Sequence, residues 1–324
     1  MKTNLLIQFT AAVLLILTYS LRPDSLAAIT IFPSWAWLGL LIPTLPFLRR
    51  RHIRLSLLPL AAWLTYVVMH VEEPRSFARG IIYPINEEKA PTSLRLVSMN
   101  CGGGLDTPLN ELFDLQPDII FLQEPPSRQH IELFTGELFG DNGQFIYDAD
   151  TCIIARGRLT SAKSTVSSIF YSYGALELQE VGTLHLISLR LRTGSTRLDL
   201  WNPNTWSEHK AQRILQRNQL QEIITAVGTH DTMIIAGDFN APQGDGIFSI
   251  LRTHFFDTFR TSGKGFGNTI INDIPVLRID QIWVSFDFVA LQSFSRKSMY
   301  SDHRFVISDI KIKDTQHVPP GDTR

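Results

Sequence analysis

Cysteine is almost absent: Cys101 and Cys152 are the only two in 324 residues. With no histidines paired at ligand spacing, this excludes a zinc-bound or disulfide-stapled scaffold. The two thiols are read as structural, with reduced and bridged states equally open. An excess of basic charge is missing too, since Lys plus Arg number 30 against 31 for Asp plus Glu. Taking out the 9 basic and 5 acidic residues that precede position 93 leaves 21 against 26, a balance of −5 for the remainder. Surfaces that hold duplex nucleic acid carry a basic footprint. The balance therefore argues against tight duplex binding, although Arg156, Arg158, Arg190, Arg192 and Arg197 leave room for a local cluster. The chain has no internal repeat, low-complexity tract or second soluble domain.

Charge is scarcest in the first 75 residues. Segments at about 4–21, 25–48 and 55–71 are apolar enough to read as three transmembrane helices. The second carries Pro33, Pro43 and Pro46 and the third is short, which allows kinks or a re-entrant piece. A cleaved signal peptide is the alternative, but Ser25, Leu26 and Ala27 make a poor cleavage site and two further apolar segments follow. Arg49, Arg50, Arg51, His52 and Arg54 between the second and third segments should stay cytoplasmic, as should Lys2. Three crossings then put the rest of the chain on the non-cytoplasmic side, facing the periplasm or exterior in a bacterium. Residues 76–92 read as a linker, with Pro84, Pro91, Glu87, Glu88 and Lys89, while Ile81, Ile82 and Tyr83 are free to pack on membrane or domain. Residues 93–313 form one large domain and 314–324 a tail.

Within that domain, strand-like apolar runs alternate with two helical patterns. One is short, through Leu109, Leu112, Phe113 and Leu115, and one longer, over residues 209–227. Alternation of this kind predicts an α/β fold. Residues 233–236 read as a buried strand that delivers the run GDFN at 237–240. Positions two apart share a strand face, so Asp238 and Asn240 would point the same way. Asp238 would orient or deprotonate a water, and Asn240 would donate its amide to a phosphoryl oxygen. Asp302 and His303, in the run SDH, open another strand and point to opposite sides unless it is bulged. Asp280, in the run RID, supplies the carboxylate that fixes the tautomer of a catalytic imidazole. Glu124 and Asp302 are the natural direct ligands for a hard divalent cation, Mg2+ first and Mn2+ as the alternative. Such a cation suits phosphoester hydrolysis.

In order and spacing these runs resemble the endonuclease/exonuclease/phosphatase superfamily, which includes deoxyribonuclease I, apurinic endonucleases, neutral sphingomyelinases and inositol polyphosphate 5-phosphatases. The resemblance spans roughly residues 93–313 and includes LRLVSMN at 94–100 and PDIIFLQE at 117–124. It implies a four-layer α/β sandwich of two packed mixed β-sheets flanked by helices. It further implies that Glu124 binds the metal with help from Asn100 and Asp302, that Asp238 and Asn240 handle water and phosphate, and that Asp280 pairs with His303. Many members carry a phosphate-contacting His in the strand before GDFN; here ISLRL at 187–191 puts Arg190 at that place. A guanidinium clamps phosphate in bidentate fashion but is no acid near neutral pH.

Other candidates carry less. His185 falls on the opposite strand face and reads as structural or surface. Trp201 and Trp206 read as closing a loop over the core, ahead of stacking on a base or meeting lipid. Gly102, Gly103 and Gly104 suit either a phosphate approach or an ordinary turn. The sequence thus predicts a membrane-anchored, metal-dependent phosphodiesterase or nuclease. Its substrate would be nucleic acid, phospholipid or a small phosphate ester, with no obligate protein partner. A lipid or inositol-phosphate phosphatase and a catalytically silent membrane-bound binding module are the alternatives.

Overall fold

The computed structural model describes residues 2–48, 53–161, 171–179 and 182–313. Four helices come first: α1 (Lys2–Leu21), α2 (Ala27–Thr30), α3 (Ile53–His70) and α4 (Glu73–Ile82). Then follow β1 (Leu94–Asn100), β2 (Ile119–Gln123), α5 (Arg128–Phe139), β3 (Gly143–Tyr147), β4 (Thr151–Arg156), β5 (Arg158–Ser161), β6 (Tyr171–Leu178) and β7 (Gly182–Arg190). The chain continues through α6 (Pro203–Val227), β8 (Met233–Asp238), β9 (Phe255–Asp257), α7 (Thr258–Ser262), β10 (Asp280–Ser285), β11 (Phe288–Arg296) and β12 (Phe305–Ile312).

The strands make two six-stranded sheets, ordered β11-β12-β1-β2-β4-β3 and β5-β6-β7-β8-β10-β9. Each has a central parallel pair, β1 with β2 and β7 with β8, and antiparallel neighbours outside. Alternation builds the layers. On β8, Ile234 and Ala236 face the other sheet while Met233 and Ile235 face α6. Leu96, Phe121, Ile153, Leu186 and Ile282 fill the space between the sheets. Ile131 and Phe134 of α5, with Leu109 and Leu112 of a 3-10 turn at Thr107–Leu115, cover the outside of the first sheet. Leu220, Ile223 and Ile224 of α6 cover the second. Each such side chain contributes about 1.5–3 kcal/mol on burial. Two packed mixed sheets flanked by helices are therefore present, as the resemblance implied.

Helix α6 begins at Pro203, ahead of the expected start at 209. The Asn202 side chain caps it by accepting from the Asn204 amide at 3.0 Å, and Pro203 occupies the first turn. WNPNTW is thus largely a helix start, with Trp206 donating its indole N–H to the Leu200 carbonyl and Trp201 left 85% exposed.

The N-terminal region departs from the expected three spans. Only Thr3–Leu21 is long and apolar enough among the described residues to cross a membrane. The segment 25–48 breaks at Pro33, where the chain bends by 70° between Asp24–Thr30 and Ser34–Ile42. A proline has no N–H for the helix ladder and clashes with the preceding turn. The apolar part of α3, Leu57–His70, would reach ~21 Å at 1.5 Å per residue, short of a ~30 Å hydrocarbon core. Arg49, Arg50, Arg51 and His52, on which the orientation rested, lie outside the described residues, as does the tail 314–324.

The expected linker contains structure as well. Helix α4 occupies Glu73–Ile82, and Arg79 docks it by donating to the Gly263 and Phe259 carbonyls at 2.8 and 3.3 Å. Ile81, Ile82 and Tyr83 remain exposed.

Gly237 sits opposite Leu189 of β7, with φ +147, and a Cβ there would collide with the Leu189 carbonyl. Gly237→Ala is therefore expected to cost about 3 kcal/mol or more, read as a lower urea midpoint at unchanged m-value. An unchanged midpoint would mean that the two strands have slack at this point.

Candidate active site

The side chains that face the opposite sheet change from apolar to polar as each strand nears one edge. On β1 the row runs Leu96, Ser98, Asn100; on β2, Phe121, Gln123; on β7, Leu186, Ser188, Arg190; on β8, Ile234, Ala236, Asp238. The antiparallel β10 enters at the same edge with Asp280, directly opposite Asp238. Gln123 reaches across to Ser188 at 3.2 Å, so the two sheets are already joined by polar contacts one step below the site.

Asn100, which is buried, donates its amide to Glu124 Oε1 and Asp238 Oδ2, both at 3.2 Å, and so joins the two sheets at the edge itself. Glu124 lies one residue past β2 with φ +47, a rare conformation for a side chain other than Gly, Asn or Asp. The Gly103 amide donates to its Oε2 at 2.6 Å, and Arg190 Nη2 pairs with its Oε1 at 2.6 Å. Arg190 also holds Asp150 at 2.9 Å. Asn240 likewise has a positive φ, +49, and its backbone amide donates to Asp238 Oδ1 at 2.8 Å. A turn around the Asp238 carboxylate brings Asn240 to the site, not a continued strand, because β8 ends at Asp238. The side-chain amide of Asn240 donates to the Leu191 carbonyl at 2.8 Å and to Asp238 Oδ2 at 3.1 Å, so it braces the carboxylate.

Ser301, Asp302 and His303 precede β12 and form no strand of their own, which corrects the expectation that this run opens one. The Ser301 hydroxyl donates to the Asn100 carbonyl at 2.8 Å and accepts the His303 amide at 3.1 Å. This small knot turns the chain so that exposed Asp302 and buried His303 line one cavity of about 330 Å³, together with Gly102, Leu105, Glu124 and Tyr300. His303 Nδ1 meets Asp280 Oδ2 at 2.8 Å.

Electrostatics make this pair distinctive. Burial alone would lower the imidazole, but the charge and hydrogen bond of Asp280, with Asp238 and Asp302 near, raise it from 6.5 to about 10. Burial and the charge of Asp280 raise Asp238 from 3.8 to about 7, against the pull of His303. Asp280 Oδ1 is buried with no hydrogen-bond partner among the described residues. One ligand atom each from Asp238, Asp280 and His303 lies within 4.8 Å of the others, a spacing able to hold a cation. The oxygens of Glu124 and Asp302 are hard donors and fit Mg2+ or Mn2+ better than a thiophilic ion. Cys101 and Cys152 are buried and free, not bridged to each other, and burial pushes both thiols up.

Sequence reasoning missed Asp150 and Ser301. Asp150 lies in the turn before β4 with no motif around it; Ser301 stood inside a quoted run without a role. Arg158 and Arg197 face Glu177 and Asp199, so with Arg190 they supply no unpaired basic track. His185 stacks on His230 with ring centroids 3.6 Å apart and takes no part in the site.

A profile of the Endonuclease/Exonuclease/phosphatase family matches residues 97–303. No curated protein matches the chain in sequence. Among solved structures, an endonuclease/exonuclease/phosphatase from Bacteroides vulgatus superposes with a TM-score of 0.52 at 14% identity, covering 68% of this chain and 100% of that one. A mannosyl-6-phosphatase from Bacteroides thetaiotaomicron VPI-5482 gives 0.51 at 15% identity, over 67% of this chain and 99% of that one. A functionally unknown conserved protein from Enterococcus faecalis V583 gives 0.52 at 12% identity, over 68% and 100%. At such identities the likeness is one of fold.

His303 should keep its second proton throughout neutral pH. Its raised value adds stability that is complete below 6.5 and fades as pH climbs through about 10. In an NMR titration from about pH 6 to about pH 8 the His303 ring resonances are expected to stay at their imidazolium positions. In Asp280→Asn, where burial is no longer opposed by a carboxylate contact, the ring should titrate well below its wild-type midpoint. A wild-type midpoint near 6.5 would refute the ion pair.

Proposed function

This chain belongs to the Endonuclease/Exonuclease/phosphatase family, and on that premise we propose that it is a membrane-anchored, divalent-metal-dependent phosphoester hydrolase. Members of the family are hydrolases of phosphoesters. The observation that carries the reading is the gathering of Asn100, Glu124, Asp238, Asp280, Asp302 and His303 at one polar edge, with His303 ion-paired to Asp280 at 2.8 Å.

Glu124 and Asp302, with Asn100 beside them, would hold a hard cation, which supplies positive charge to the phosphoryl oxygens. Asp238, raised toward neutrality, takes the proton of the attacking water. Its hydrogen bonds from Asn240 and Asn100 fix where the carboxylate points. Asp280 occupies His303 Nδ1, which leaves the Nε2 proton for a substrate oxygen. Arg190 offers its guanidinium to the phosphate when the ester competes with Glu124 and Asp150 for it.

The favoured substrate is a small phosphoester or a lipid headgroup. The cavity of about 330 Å³ suits such a group, and the charge balance with its paired arginines supplies no track for a duplex. Anchoring rests on α1. Leu6, Ile7, Leu14 and Leu17 of α1 and Leu57, Leu58, Leu64 and Val68 of α3 are exposed, an apolar surface of the kind lipid covers. One crossing with Lys2 on the cytoplasmic side places the catalytic domain opposite.

A silent phosphate-binding module is the second reading, favoured by the Arg190 contact with the proposed ligand Glu124. Full-length protein in neutral detergent should hydrolyse bis-p-nitrophenyl phosphate with Mg2+ and stop when EDTA is added. Glu124→Gln and His303→Ala are each expected to lower kcat by about 10²–10⁴. No turnover with Mg2+ or Mn2+, while calorimetry registers ion binding, would establish the silent module.

Arg190→Ala frees Glu124 and should tighten Mg2+ binding while raising KM for the ester. Unchanged calorimetric affinity for Mg2+ would show that the ion pair does not compete with the metal.

A further inference from the structure

A second cavity, of about 270 Å³, lies where the N-terminal helices meet the sandwich. Its walls carry five arginines, Arg22, Arg75, Arg252, Arg260 and Arg278, and two carboxylates, Glu72 and Asp257. Arg278 takes both carboxylates, at 3.0 and 2.7 Å. The other four guanidinium groups form no ion pair among the described residues. Among the described residues Arg252 donates to the Gly244 and Asp245 carbonyls, and Arg22 stands over the Tyr19 ring at 5.8 Å. Buried Arg278 keeps an Nη1 with no hydrogen-bond partner among the described residues.

Like charges gathered in a recess repel one another, and burial adds to the cost of keeping them ionised. Burial accordingly pulls Arg22 down to about 10, with Arg252 and Arg260 working in the same direction and Asp245 against it. The backbone preserves the arrangement. Gly244, with φ +71, leaves room for the Arg22 guanidinium, which an added Cβ would approach to 2.6 Å.

We propose that this cavity is a binding site for a phosphate group, separate from the hydrolytic centre, in which Arg22, Arg75, Arg252 and Arg260 supply the forked donors that planar guanidinium groups offer to phosphate oxygens. Its position indicates the source. Arg22 is the first residue beyond α1, and Met69 and His70, also on the wall, end α3. If α1 crosses the bilayer, as proposed above, the cavity lies at headgroup level, and its phosphate belongs to an anionic lipid. The phosphate site itself does not depend on that anchoring or on catalysis.

The test uses full-length protein. In neutral detergent, inorganic phosphate is titrated and the Tm followed; in nanodiscs, phosphatidylcholine alone is compared with phosphatidylcholine containing phosphatidic acid. Phosphate or phosphatidic acid should raise the Tm of wild type. The Arg252→Gln/Arg260→Gln double variant, which changes two exposed side chains, should bind about tenfold or more weakly and keep its basal hydrolysis of a soluble ester. His303→Ala should respond like wild type, which separates this site from the hydrolytic one and keeps the result meaningful if no hydrolysis is found. A rise with phosphatidic acid nanodiscs alone identifies a lipid; an equal rise with inorganic phosphate identifies the free anion. No rise with either ligand, or equal affinity in the double variant, overturns the proposal.

Discussion

The layer between the two sheets is oily along most of its length and polar at one edge, and the rest of the molecule follows from that constraint. Leu186 and Ile234 each lie four positions before Arg190 and Asp238 on the same strand faces. A strand that packs its apolar residues correctly therefore has no freedom in where it presents its terminal polar one. Because β1, β2, β7 and β8 all end at that edge while β10 begins there, burial of the apolar layer and assembly of the polar cluster are one event.

Such a cluster is costly on its own account. Asp238 and Asp280 face each other in register with almost no solvent, and repulsion between them would open the edge. Two cations offset it, the His303 imidazolium beside Asp280 and the Arg190 guanidinium between Glu124 and Asp150. The arrangement is balanced rather than inert. Among the described residues Arg190 Nε and Asp280 Oδ1 remain without partners, so the site has unspent hydrogen-bonding capacity at both ends.

Ionic contacts also fasten the N-terminal helices to the sandwich. Glu72 meets Arg278, two residues before Asp280; Arg213 bridges Asp245 and Thr30; Arg217 meets Asp24. These contacts grip the segments that follow Asn240 and precede Asp280. Buried pairs of this kind add little net stability but penalise any other docking, since a shifted helix would strand charges without partners. The helical region is thus held in one pose against the loops that carry the site.

Much of this was legible in the chain. The α/β class follows from strand-like runs alternating with helical patterns, the strand before GDFN from a short continuous apolar run, and the place of Arg190 from the family resemblance. Glu124 was found because it closes an apolar run, and Asp280 as the carboxylate a catalytic imidazole needs, at the head of one. What sequence could not decide was anything fixed by a bend or by distance. Pro33 turns a hydrophobic segment that composition alone reads as a span. The positive φ values of Glu124 and Asn240 bring them into place where strand alternation would not, and Ser301 turns Asp302 and His303 toward one cavity through a bond to the Asn100 carbonyl. Asp150 carries no local signature at all, and only folding sets it against Arg190. Periodicity is written in neighbours along the chain, whereas a charge finds its partner across it, and that partner exists only after the sheets have closed.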